Sequence, residues 1–211
     1  MCDALQVRWT ITAQKTPQPW IACSGCGGPR AFQSSGKIRL NANGRRLDAW
    51  LIYNCGDCDR TWNRPLFERR AVREIDPVVL AALQSNDRQR ARAEAFNLDA
   101  LRRASPRVDE FADVAIAKEI VRGSRSSATI AIELVVPLPT SMRLDRLLAS
   151  ELAMSRGRLQ ALLEQGLLRI TSERSDALRR RVKTGTIVVL DLPAETDCAW
   201  SWQSQALRVA S

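Results

Sequence analysis

The sequence predicts an α+β protein in three parts: a β-rich N-terminal part, a mainly helical middle segment and a small α/β C-terminal module. Three observations predict it. Two Cys-x2-Cys pairs, Cys23/Cys26 and Cys55/Cys58, flank apolar residues that alternate around Asn43-Gly44. Acidic capping residues punctuate runs of helix formers in the middle of the chain. Beyond residue 128 an alternating segment is followed by two segments with leucines at helical spacing and two short apolar runs. At 211 residues the chain can hold two or three small domains. The expected boundaries are 1–72, 73–125 and 126–192, with a tail at 193–211.

In "KIRLNANGRRLDAWLIYNC", Ile38 and Leu40 alternate before the turn, and Leu47, Ala49, Leu51 and Tyr53 alternate after it. Asn43-Gly44 supplies the positive φ angles of a tight hairpin turn. Asp76-Pro77 is an N-cap and first-turn pair ahead of "VVLAALQ". Asp87 caps "RQRARAEAF", which stops near Asn97, and "LDALRRA" adds a turn or two before Pro106. "EFADVAIAKEIV" fits helix and strand equally well, and "RGSRSSA" reads as a linker. "TIAIELVVP" alternates as a strand that ends at Pro137. Leu144, Leu147, Leu148 and Leu152 share one helical face. Leu159, Leu162 and Leu163 share another, on a helix that starts at the N-cap Ser155 and ends at Gly166. Leu168 and Ile170 begin a strand, "RRRVKTG" is a basic approach, and "TIVVLDL" is a buried strand. In the tail, Trp200 and Trp202 alternate as a further strand.

Lys and Arg number 32 against 23 Asp and Glu, giving a net charge of +9. That excess favours a polyanionic partner, nucleic acid before an anionic membrane surface. The chain has no histidine, which excludes Ser-His and Cys-His nucleophile pairs and mixed Cys/His metal sites. With no phosphate loop either, a non-enzymatic role is expected. "MCDALQVRWT" has neither a basic n-region nor an apolar h-region. No apolar run reaches the roughly 18 residues a membrane span needs. A cytoplasmic protein with reduced thiols and no membrane association is expected.

The cysteine pairs are separated by 28 residues, and the intervening hairpin delivers one pair to the other. Two such loops facing each other suit one tetrahedral Zn²⁺ held by Cys23, Cys26, Cys55 and Cys58. Four protein ligands leave no open position, so the ion is expected to be structural, worth on the order of 10 kcal/mol to folding. Disulfides conflict with a reducing compartment, and a redox Cys-x2-Cys would need a βαβ unit. Cys2 and Cys198 remain over, an exposed thiol and a packed small residue. This half resembles a zinc ribbon. Trp9, Trp20, Trp50 and Trp62 are expected to fill its small core rather than stack bases.

"SRGRLQALLEQGLLRI" places Arg156 and Arg158 in the first turn of a helix, where cations oppose the backbone dipole. Two helices, a strand, a basic loop and a strand over about residues 141–192 resemble the RNA-binding module of small-subunit ribosomal protein S-four, the alpha-L motif. Arg143, Leu144, Asp145 and Leu148 carry the match in the first helix. Ser155, Arg156, Arg158, Gln160, Leu162, Gly166 and Leu168 continue it, and Lys183, Gly185 and Ile187 close it. The resemblance implies a structured RNA partner of the rRNA or tRNA class. Its backbone would meet Ser155, Arg156, Arg158 and Gln160, with Arg179, Arg180, Arg181 and Lys183 extending the patch. Asp145 is expected to pair with a nearby arginine.

The sequence departs from that family in three places. Gly157 weakens the helix by up to about 1 kcal/mol. Thr171-Ser172 replaces an Asn-Gly turn, and Thr186 stands where an acid is usual. A protein-interaction or assembly factor, using the ribbon and the Trp200/Trp202 tail, is the alternative. The chain, especially "IRLNANGRRLDAWLIYNCGDCDRTWN", also resembles an uncharacterised family of bacterial cytosolic proteins known as a domain of unknown function.

Overall fold

The computed structural model describes residues 4–123, 127–171, 176–191 and 206. The chain forms an α+β protein with two five-stranded sheets, in two compact units. One unit is residues 15–111; the other joins residues 1–14 to residues 112–211. This division departs from boundaries at 72 and 125, because the N-terminal strand pairs with segments more than a hundred residues away.

In the unit of residues 15–111, the strands are β2 (Gln18–Cys23), β3 (Gly28–Asn43), β4 (Arg46–Cys55), β5 (Thr61–Ala71) and β6 (Val108–Asp109). They lie in the order β5-β4-β3-β2-β6, and every pairing is antiparallel. The β3–β4 hairpin turns at Asn43-Gly44 as expected, with Gly44 at φ 61°. Helices α1 (Pro77–Gln84), α2 (Arg88–Ala95) and α3 (Leu98–Ala104) follow. Asp76 accepts from Val78 N at 2.8 Å, Asp87 from Arg90 N at 2.7 Å and Asn97 from Ala100 N at 3.0 Å, so each helix starts on a side-chain cap. Leu83, Ala91, Ala95 and Leu101 from these helices join Phe32, Ile38, Leu51 and Tyr53 in one core. Trp62 packs against it, 5.2 Å from the Tyr53 ring.

In the other unit, β1 (Leu5–Ala13) lies between β7 (Val114–Arg122) and β8 (Thr129–Val135). The β1–β8 pairing is parallel and the β1–β7 pairing antiparallel. The segment that fitted helix and strand alike is therefore a strand; the hydrogen-bonding edge of β1 decides it. Helices α4 (Leu144–Glu151) and α5 (Arg156–Glu164) come next, then β9 (Leu168–Ile170) and β10 (Ile187–Asp191). The sheet order is β7-β1-β8-β10-β9. Leu5, Val7, Trp9 and Ile11 of β1 and Ile130, Ile132 and Leu134 of β8 form a buried floor. Leu144, Leu147, Leu148, Leu159 and Leu162 pack on it. Trp9 thus fills this core and not that of the cysteine-bearing unit; its Nε1 donates to the Ala206 carbonyl at 3.0 Å. Lys118 of β7 pairs with Glu151 of α4 at 2.7 Å and lies 4.8 Å from the Trp9 ring.

Cys2, Ser172, Cys198, Trp200 and Trp202 lie outside the described residues. Among the described residues, no helix is long and apolar enough to cross a membrane.

Between α4 and α5, Ala153 adopts φ 49°, a left-handed conformation in which Cβ crowds the backbone. Ala153→Gly is expected to raise the free energy of unfolding by about 0.5–1 kcal/mol, the relieved strain exceeding the added chain entropy. Denaturant unfolding measures this, and a loss of stability would contradict it.

Candidate metal centre and basic cleft

Strand β3 brings the two cysteine pairs together. It pairs Gly28 with Cys23 at the end of β2 and Phe32 with Cys55 at the end of β4. Each loop then folds the same way. Gly27 N donates to Cys23 O at 2.9 Å and Asp59 N to Cys55 O at 3.3 Å. Gly27 and Asp59, at matching positions, are both left-handed, at φ 70° and 57°. Gly25 answers a different need: a Cβ there would lie 3.0 Å from Arg60 Cγ and 3.1 Å from Cys58 Sγ.

All four Sγ atoms lie within 4.8 Å of one another. Cys23 and Cys58 sulfurs are 3.4 Å apart, and Cys26 and Cys55 sulfurs 3.9 Å. With metal–sulfur bonds of about 2.3 Å, a tetrahedron has edges of about 3.8 Å, so this donor set fits one metal ion. Both short distances join one pair to the other, which is how two loops share an ion. Cys23 and Cys55 are buried, Cys26 is half-buried and Cys58 is exposed.

The thiols also share protons. Burial pushes the Cys23 thiol up, but the Cys26 backbone N–H, the Cys58 thiol and the Gly25 N–H outweigh it and bring Cys23 down to about 7. The Cys26 thiol, hydrogen-bonded to Cys58 and partly desolvated, is pushed up to about 12. A cation entering the cluster must therefore displace protons.

In the other unit, Ser155 caps α5, its Oγ accepting from Arg158 N at 3.1 Å. Ser155, Arg156, Arg158 and Gln160 are all exposed. Among the described residues, neither Arg156 nor Arg158 has an ion pair, and the Arg156 and Gly157 backbone N–H groups have no acceptor. Gln160 Nε2 donates to Glu164 Oε1 at 2.9 Å. Gly157 faces open space: a Cβ there meets only Ser155 Oγ, at 4.0 Å.

A cleft of about 430 Å³ is lined by Arg143, Arg156, Gly157, Gln160 and Arg179, with Asp145 and Leu178. Asp145 binds Arg143 through two contacts, at 3.1 and 2.7 Å. Arg180, Arg181 and Lys183 instead line a neighbouring cleft of about 670 Å³. Arg180 is held by Asp176 at 2.9 Å, which raises its pKa. The basic loop is tied beside α4, with Leu144 N donating to Arg180 O at 2.9 Å and Val182 N to Met142 O at 3.0 Å. The expected patch is thus split: Arg156, Gln160 and Arg179 share one cleft, three basic residues share another, and Arg158 lines neither. Arg143, read from sequence only as part of a pattern, is a cation of the first cleft; its place beside Asp145 was the available signal.

The fold and these features define a two-unit α+β protein with a four-thiol cluster able to hold a metal ion. The chain belongs to the family described as Protein of unknown function (DUF1062), whose model matches residues 40–174. No curated protein and no solved structure matches it.

Cys55→Ser is expected to abolish binding of one metal ion per chain, as read by native mass spectrometry. For the wild-type chain the apparent metal affinity rises with pH, because each thiolate used by the ion is freed from a proton. Binding that is indifferent to pH between about 6 and 8 would contradict displacement of protons from the cluster.

Proposed function

We propose that the protein binds structured RNA of the rRNA or tRNA class in the cytoplasm, without catalysing a reaction, and that its four thiolates hold one structural Zn²⁺. The observation that carries the RNA reading is the first turn of α5. Arg156 and Arg158 stand exposed and without ion pairs among the described residues, flanking a bare glycine whose N–H has no acceptor among them. Cations at this end oppose the helix dipole. A phosphate there accepts the free N–H groups, is favoured by the dipole and neutralises both guanidinium groups. Arg143 and Arg179 across the same cleft extend the contact along a phosphate chain.

The order α4, α5, β9, basic loop, β10 supports the resemblance to the alpha-L module, whose matching positions are Ser155, Arg156, Arg158 and Gln160. Arg180, Arg181 and Lys183 widen the positive surface. Zinc is the ion of choice because an all-thiolate tetrahedral set suits it, and a closed site holds fold rather than activating water. Reduced thiols, which the ion requires, persist in the cytoplasm.

Arg156→Glu with Arg158→Glu is expected to weaken binding to transfer RNA by at least roughly tenfold at about 0.15 M salt. The same change raises the unfolding free energy by about 0.5 kcal/mol, because acids suit a helix start. Unchanged affinity in this variant would refute the assignment. Gly157→Ala separates the same two quantities: it is expected to stabilise the helix by about 0.5–1 kcal/mol, while its methyl group holds a phosphate off the backbone and lowers affinity. Anisotropy titrations and denaturant unfolding read both.

A further inference from the structure

The unit of residues 15–111 carries its own concentration of positive charge. The β3–β4 turn runs into Arg45-Arg46, and β5 carries Arg69-Arg70 just before its end at Ala71, with Arg73 following. Strand pairing gathers them at one end of the sheet. Arg46 lies opposite Ala71, Leu47 opposite Arg70, and Val72 N donates to Arg45 O at 3.0 Å. A break in register between Leu47 and Ala49 fixes this end, with Arg69 at φ 50° and its N–H bonded to Asp48 Oδ1 at 2.6 Å.

All five arginines are exposed, and among the described residues none has an ion pair. Residues 45–48 and 67–74 hold those five arginines against three acids, Asp48, Glu68 and Glu74. Like charges held together on paired strands repel, and a partner that neutralises them gains that energy back. Guanidinium forks suit phosphate oxygens in pairs, a geometry that Lys does not offer. The turn itself, Asn41-Ala42-Asn43-Gly44, has no large apolar side chain to enter a bilayer, and the exposed Val72 alone makes no apolar face. The chemistry therefore favours a nucleic-acid backbone over a lipid surface.

We propose that this arginine-bearing sheet end is a second RNA-backbone contact, made in addition to the one at α5. The proposal rests on the RNA reading of the α5 cleft. Two contacts on one chain make the second encounter intramolecular, so each strengthens the other.

The test uses the full-length, metal-loaded chain and bulk transfer RNA, with affinity measured between about 0.05 and 0.3 M salt. Arg45→Ala/Arg46→Ala/Arg70→Ala is expected to lose about tenfold in affinity and to lower the salt slope by about 2–3. If that variant loses its metal or unfolds, Arg45→Gln/Arg46→Gln in the turn replaces it, with a slope lower by about 2. Wild-type affinity and slope in these variants, while Arg156→Glu/Arg158→Glu abolishes binding, overturn the second contact and leave the α5 reading standing. The converse pattern, loss only in the sheet-end variants, overturns the α5 reading and with it the pairing of two contacts, leaving the sheet end as a lone RNA contact. A wild-type chain that binds no RNA overturns both. Binding of phosphatidylserine vesicles through Arg45, Arg46 and Arg70, with RNA affinity untouched by their loss, also overturns the second contact.

Discussion

Burial of β1 against β8 is the constraint on which the C-terminal unit depends. Helices α4 and α5 are each short, eight and nine residues, and helices of that length do not persist alone in water. They exist because Leu144, Leu147, Leu148, Leu159 and Leu162 find an apolar floor. Half of that floor comes from the other end of the chain, through Leu5, Val7, Trp9 and Ile11. Without β1, the floor would narrow and β8 would present an open hydrogen-bonding edge. The basic cleft, whose walls are α4, α5 and the loop before β10, is mounted on that pairing.

The cysteine-bearing unit depends on a different interaction, four sulfurs whose protons and charges conflict. One thiol titrates near 7 and its neighbour near 12, so the cluster does not shed all its protons unaided. A metal ion bound by the four sulfurs would remove the conflict and would tie the end of β2 to the end of β4. The two loops achieve this with matched backbones, one using Gly27 and the other Asp59 in the left-handed position. Asp tolerates that conformation better than most residues, which is why a glycine is dispensable in the second loop.

Much of this was legible locally. Asn43-Gly44 fixed a turn, Asp76 and Asp87 fixed helix starts, and the Cys-x2-Cys spacing located the four-thiol cluster, because each signal lies within a few residues of the structure it dictates. The long-range features were not legible. Nothing in "LQVRWTITA" names β7 and β8 as its partners, since alternation reports a strand but not its neighbour. Trp9 was therefore assigned to the wrong core. The helix-or-strand ambiguity of "EFADVAIAKEIV" was settled by pairing, a tertiary effect. Left-handed Arg69 and Ala153 carry no glycine to announce them. The cationic residues were legible as a group, but their partition between two clefts depends on where the loop before β10 is tied to α4.

The positive end of α5 unites the sequence pattern and the geometry. Two cations are placed where the helix itself is positive, the glycine between them exposes backbone, and a third and fourth arginine, Arg143 and Arg179, share a cleft with Arg156. Titration of transfer RNA into isotopically labelled protein, followed by nuclear magnetic resonance, tests this most directly. The expected result is that the largest shifts fall on the backbone N–H of Arg156 and Gly157 and on the guanidinium N–H groups of Arg156, Arg158 and Arg179. Saturable RNA binding that leaves those signals in place would contradict it.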